Sequence, residues 1–257
     1  MNRLLGAWTA LVLAGLYAPI AIMVVFSFNA STSSAWAGFT LDWYRKLLVA
    51  HDIRDALVNT LLLSSISTVL ATILGTLAAL AARERFRGKK LYVALVSLPV
   101  TVPDIVLAFA VYSLFRTLGL PLSVLTAALA HATFNLSYVA LVVSARLEGL
   151  DRSLELAGRD LGCTPWTAFW RVTFPAIRPA VFSGALLAFT LSFDDFVITY
   201  FTSGAGNATL PVLVYSKVRF GVTPEINAIS TILLAVSLAA IAASLKLSKT
   251  PLTGGRR

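Results

Sequence analysis

Glu155–Pro179 reads ELAGRDLGCTPWTAFWRVTFPAIRP, the longest polar interval in an otherwise oily chain. It holds Glu155, Arg159, Asp160, Arg171 and Arg178, with Gly162 near its centre and Pro165, Pro175 and Pro179 after it. Asp151 is placed to cap a helix running through Glu155 to Leu161, and Gly162 suits the position past its end, where φ turns positive. Thr164 then caps a second short helix, with Pro165 at its first position and Phe169, Trp170 and Val172 as apolar anchors. Pro175 is expected to end that helix and Pro179 to open the next. Two helices meeting at a glycine corner, with apolar runs on both sides, make a polar island displayed outside a membrane. An island of this kind is built to meet a soluble partner.

The flanks set the class. Of 257 residues, 58% are hydrophobic and 13% charged, against roughly 25% charged in a soluble domain. A spanning helix needs about 20 mostly apolar residues, and six stretches qualify: 4–28, 56–82, 91–115, 122–145, 180–201 and 226–245. Leu4–Phe28 is too long for the apolar core of a signal peptide, although Ala35-Trp36-Ala37 mimics a cleavage site. The reading is an all-α polytopic membrane protein, one domain over 1–257, with the polar loop at 146–179.

Lys and Arg orient it. Most of the 21 fall in Met1–Arg3, Arg83–Lys90, Arg146–Arg178 and Lys246–Arg257; the others are Arg45, Lys46, Arg54, Arg116, Lys217 and Arg219. Six spans with both termini in the cytoplasm place the richer set inside. The net charge of +9 is then an orientation signal, and nucleic acid is not an expected partner. Membrane lipid is. Outside, Gly38–Asn59 mixes aromatics with charges as an interfacial helix would. Ser203–Ser216 carries an apolar run too short to span, and Thr223-Pro224 reads as the start of the last span.

Three acids fall within predicted spans: Asp104, Asp194 and Asp195. Burying an acid in a bilayer costs about 2.5–3.5 kcal/mol, and such acids usually face a cavity. Counting residues at 1.5 Å each puts Asp104 and Asp194 both about 20 Å from the inner end. Neighbouring helix positions differ by about 100°, so Asp194 and Asp195 cannot both point into one pore. A negative collar of this kind suits an amine cation, helped by cation–π attraction from Phe109, Tyr112, Phe193 or Tyr200. The alternative is an acid that is protonated, or that bonds a hydroxyl or backbone group. Pro103 is expected to loosen the helix at Asp104. His131 reads as a hydrogen-bonded packing residue, and Gly75 and Gly184 as points of close helix contact.

Enzyme chemistry has no foothold in the sequence. There is no G-x-x-x-x-G-K-[ST] phosphate loop and no H-E-x-x-H. The single cysteine, Cys163, excludes an intrachain disulfide and a multi-cysteine metal site.

Glu155-x-Ala157, Leu161-Gly162, Phe169, Val172, Pro175 and Pro179 resemble the EAA loop of importer-type ABC transporter permeases. Leu156 and Phe174 depart from the usual alanine and leucine. The resemblance implies a type I importer permease fold whose loop forms a coupling helix seated on an ATPase subunit. It assigns coupling to Glu155, Ala157, Arg159, Asp160, Leu161, Gly162, Phe169 and Pro175. Ser183–Phe196, Thr209-Leu210-Pro211 and Pro224–Ala228 are similar to permeases of the spermidine/putrescine group. That similarity favours Asp104, Ser192, Asp194 and Asp195, with Trp43 and Tyr200, along the substrate pathway. It also implies a second homologous permease, two ATPase subunits carrying ATP and Mg, an extracytoplasmic substrate-binding protein, and a place in the bacterial inner membrane. No cofactor is expected in this chain. The rival readings are a permease for ferric iron or another small solute, an ion-gradient-driven cation transporter using the three acids as proton carriers, and a membrane scaffold without a pathway.

Overall fold

The computed structural model describes residues 2–32, 35–219 and 221–248. Among these, structure is helical apart from one isolated bridge between Asn29 and Phe39. The helices are α1 (Asn2–Phe26), α2 (Asp42–Val49), α3 (His51–Arg83), α4 (Lys89–Thr101), α5 (Asp104–Thr117), α6 (Val124–Glu148), α7 (Ser153–Asp160), α8 (Pro165–Ala168), α9 (Phe174–Phe193), α10 (Val197–Thr202), α11 (Leu210–Val218) and α12 (Pro224–Ser248), with a π turn at Phe169–Thr173 joining α8 to α9. Met1 and the basic tail from Lys249 onward lie outside the described residues.

α3, α6 and α9 pack against one another at the centre. Small residues make this possible. A side chain at Gly75 would come within 2.7 Å of the Leu136 carbonyl oxygen and 2.8 Å of Val139 Cβ, while Gly184 lies against the same Val139. The buried set Ala71, Ala79, Val139, Val143, Ile177 and Ala188 fills the space between the three helices. A second cluster around Leu47, Ile53, Leu210, Ala228 and Ile229 joins α2, α3, α11 and α12. There Lys217 bridges Asp52 at 3.0 Å and Glu225 at 2.9 Å. Burial works against the Lys217 charge, but the bonds to Glu225 and Asp52 outweigh it and raise its pKa. α1 is exposed from Leu4 to Ile22, becomes half-buried at Met23, Val24 and Phe26, and lies against α12.

Among the described residues four helical stretches are long and apolar enough to cross a membrane: Leu4–Phe26, His51–Arg83, Val124–Glu148 and Pro165–Phe193. α4 and α5 together make a fifth, bent by 109°. The apolar stretch assigned in α12 is Pro224–Ala239, shorter than a full span.

Two predicted spans are therefore broken rather than continuous. The third stops at Val102, which is extended (φ −83°, ψ 135°) because the residue before a proline is pushed out of the helical region. Pro103 does more than loosen the helix: it divides it. The fifth ends at Phe193 and resumes at Val197. Nor does Pro175 end a helix or Pro179 open one. The helix runs unbroken from Pro165 to Phe193 because the π turn lets the Phe174 amide reach the Phe169 carbonyl, five residues back. This wider turn admits a residue without an N–H just beyond it.

Candidate functional site

The Glu155 loop has the two helices and the glycine corner that its sequence suggests, although Arg152 rather than Asp151 holds the N-cap position of α7. The Asp151 carboxylate accepts from the Ser153 amide at 2.8 Å, and bonding from Ser153 holds its pKa below the usual range. α7 then ends in a paired bond pattern. Cys163 N–H donates to the Gly158 carbonyl and Gly162 N–H to that of Arg159, with Gly162 at φ +87°, the left-handed closure that favours glycine. Thr164 accepts from the Thr167 amide at 3.2 Å and starts α8.

Beyond the corner, Trp166, Phe169, Trp170 and Phe174 form one aromatic cluster, its closest rings Trp170 and Phe174 at 4.9 Å. Ala157, Arg159, Asp160, Leu161, Gly162 and Pro175 are exposed, and Phe169 is half-buried. Leu161 at 87% and Trp166 at 70% exposure present apolar surface to the outside.

Three contacts tie the loop to the bundle, one of them from the Arg152 guanidinium to the Arg83 carbonyl at 2.5 Å. Glu155 pairs with Arg83 at the end of α3, 3.0 Å apart, and more loosely with Arg159 at 3.9 Å. Arg146 of α6 donates to the Ala176 carbonyl of α9 at 3.1 Å. The sequence reading counted Arg83 only as an orienting charge. Its partner lies far along the chain, so spacing could not pair them.

The acids occupy the helix breaks. Asp104 is exposed in the first turn of α5, where a negative charge is favoured. Asp194 is exposed at the end of α9. Asp195 turns inward and accepts from the amides of Ile198 at 2.9 Å and Thr199 at 3.1 Å, capping α10. No helix runs through the pair, so the two acids are not set 100° apart as successive positions on one helix would be.

Asp195 also lies 3.5 Å from Nε2 of His131, which is fully buried in α6. The other His131 nitrogen meets the Ser192 hydroxyl at 2.6 Å, and Nε2 is 2.9 Å from the Thr199 hydroxyl. Asn135, one turn along α6, donates to Ser67 of α3 at 3.0 Å and to Ser192 at 3.4 Å. His131, Asn135, Ser67, Ser192, Thr199 and Asp195 therefore form one polar node joining α3, α6, α9 and α10. His131 does bond within the packing, as the sequence suggests, and it also brings a ring nitrogen to within 3.5 Å of Asp195. The legible signal was His131 and Asn135 four residues apart on one face of an apolar helix.

The remaining predicted residues separate. Ser192 is 2% exposed and serves the node. Trp43 donates from its indole nitrogen to the Asn29 carbonyl at 2.8 Å and packs on the α2–α12 cluster. Tyr200 is exposed and groups with Phe196 and Tyr215, their rings 4.3–6.3 Å apart, at the break that holds Asp194. With Tyr112 and Phe201 it lines a cleft of about 550 Å³. Phe193, expected among the aromatics of the pathway, is buried instead.

Loop, helix breaks and bundle together define a membrane transport component. The family described as binding-protein-dependent transport system inner membrane component matches residues 71–250, and the chain belongs to it. It is a multi-pass membrane protein and a transport subunit rather than an enzyme. Among its relatives is the putrescine transport system permease protein PotI of Escherichia coli K12, 45% identical over 228 residues, covering 85% of this chain and 81% of that one. The spermidine/putrescine transport system permease protein PotC of Escherichia coli K12 is 39% identical over 247 residues, covering 95% and 94%. A solved bacterial ABC transporter that imports the acidic polysaccharide alginate has a chain of like fold, with a TM-score of 0.73, 17% identity, and coverage of 98% of this chain and 97% of that one. A second structure of an alginate ABC transporter, in complex with a pentasaccharide-bound periplasmic protein, also gives a TM-score of 0.73 at 17% identity, covering 99% and 96%.

Proposed function

We propose that this chain is the permease subunit of an ATP-driven importer for a polyamine such as putrescine or spermidine. The observation that carries the substrate is identity of 39–45% over 85–95% of the chain to permeases named for those amines. The exposed Asp194 at the α9–α10 break and the Phe196, Tyr200 and Tyr215 rings grouped along α10 and α11 support it, since carboxylates and aromatic faces are the groups that suit an alkylammonium ion. Asp104 supplies a second charge at the other break. Asp195, Ser192 and His131 hold the α9–α10 break in shape, and Trp43 steadies the outer side.

The chain acts as a single membrane domain. It crosses six times, with α12 as the last crossing and both termini in the cytoplasm of a bacterial inner membrane. It pairs with a second, related permease and two ATPase subunits that bind ATP and Mg, and it takes substrate from an extracytoplasmic binding protein. ATPase closure moves the Glu155 loop through Glu155, Ala157, Arg159, Asp160, Leu161, Gly162, Phe169 and Pro175. The Glu155–Arg83 and Arg146–Ala176 contacts carry that motion to α3 and α9. Such coupling requires loop contacts that differ between the two states.

The test is ATPase stimulation of the whole complex in liposomes by its binding protein loaded in turn with putrescine, spermidine, ferric ion or a neutral sugar. Stimulation by a polyamine alone is expected. Stimulation by ferric ion or sugar without any response to polyamine overturns the substrate assignment.

A further inference from the structure

A cavity of about 650 Å³ lies between α3, α4 and α6 at the Glu155 end of the bundle, separate from the acids. Arg83, Lys89 and Arg152 line it against one carboxylate, Glu148. Arg83 is shared with Glu155 and the Arg152 guanidinium donates to the Arg83 carbonyl at 2.5 Å, but neither Lys89 nor Arg152 has a carboxylate partner among the described residues. Lys89 is also the first residue of α4, whose preceding Gly88 provides no side-chain cap. The positive end of that helix therefore adds to the same cationic lining. Ser137, on the same lining, is buried, yet its hydroxyl has no hydrogen-bond partner. The remaining wall is apolar, and Val93 and Leu141 carry it out to the exposed side of the bundle.

We propose that this cavity binds an anionic phospholipid, its headgroup phosphate against Lys89 and Arg152 and an acyl chain along Val93 and Leu141. An inorganic anion would match the cationic lining but leave the apolar wall bare. A lipid without net charge would cover the wall but leave the cationic excess unbalanced. An anionic phospholipid answers both, and basic pockets between spans attract such headgroups. Because Arg83 belongs both to the cavity and to the Glu155 contact, a bound headgroup bears on the anchorage of the loop.

The experiment is native mass spectrometry of the purified full-length chain with phosphatidylglycerol, phosphatidylcholine and inorganic phosphate as probes. Phosphatidylglycerol is expected to be retained over phosphatidylcholine, and inorganic phosphate not to displace it. Lys89→Gln is expected to lower retention about fivefold, the effect of one basic contact near a membrane surface. Leu141→Trp, which fills the apolar slot and leaves every charge in place, lowers it as well. Equal retention of the two lipids, unchanged retention in either variant, or displacement by inorganic phosphate would overturn the proposal.

Discussion

The two adjacent aspartates have different work. The carboxylate of Asp195 is occupied by two backbone amides and approached by His131, while Asp194 stands exposed beside it. Asp194→Asn should therefore raise KM for polyamine uptake by roughly tenfold or more, as expected from losing a charge-assisted bond of about 1.5–3 kcal/mol. Uptake kinetics in cells check this. His131→Ala strips partners from Ser192 and Thr199 inside the bundle and should lower stability by about 1–3 kcal/mol. His131→Gln, which still donates and accepts, should recover part of that loss in a thermal melt of the detergent-solubilised protein.

At the scale of elements, closeness at Gly75 is the most exposed to test. Gly75→Val drives a side chain into the Leu136 carbonyl and Val139, and overpacking of this kind costs about 1–3 kcal/mol, readable in the same melt. Glu155→Lys sets a second cation against Arg83, now 3.0 Å from the carboxylate. It should abolish uptake while leaving membrane insertion intact, as measured by transport alongside membrane fractionation. The loop was the most legible part of the chain, because Asp151, Gly162, Thr164 and Pro165 act on their immediate neighbours. The spans were legible as apolar runs but not as broken helices. Hydropathy counts side chains, whereas the breaks come from the backbone, through Pro103 at one and the amide-capping carboxylate of Asp195 at the other. The reading of Pro175 failed for the converse reason: a π turn absorbed the missing N–H locally. Of the polar node only the α6 pair, His131 and Asn135, was legible; its other half was not, because His131 and Ser192 are 61 residues apart in sequence.

For the molecule as a whole, the proposed orientation puts Cys163, a half-exposed thiol in the Glu155 loop, on the cytoplasmic side. A membrane-impermeant maleimide should leave it unlabelled in intact cells and label it after permeabilisation. The bundle of α3, α6 and α9 is tied to that loop at both Arg83 and Arg146, the contacts through which the proposed coupling would carry force toward the helix break at Asp194. The central claim is that a chain without nucleotide chemistry of its own moves an amine with power taken up through this loop. The most direct measurement is spermidine uptake into proteoliposomes, holding either the complete complex or this chain alone, with and without ATP and an uncoupler. Uptake only by the complex, dependent on ATP and indifferent to the uncoupler, is the predicted result. Uptake by the chain alone that collapses with the proton gradient would contradict it.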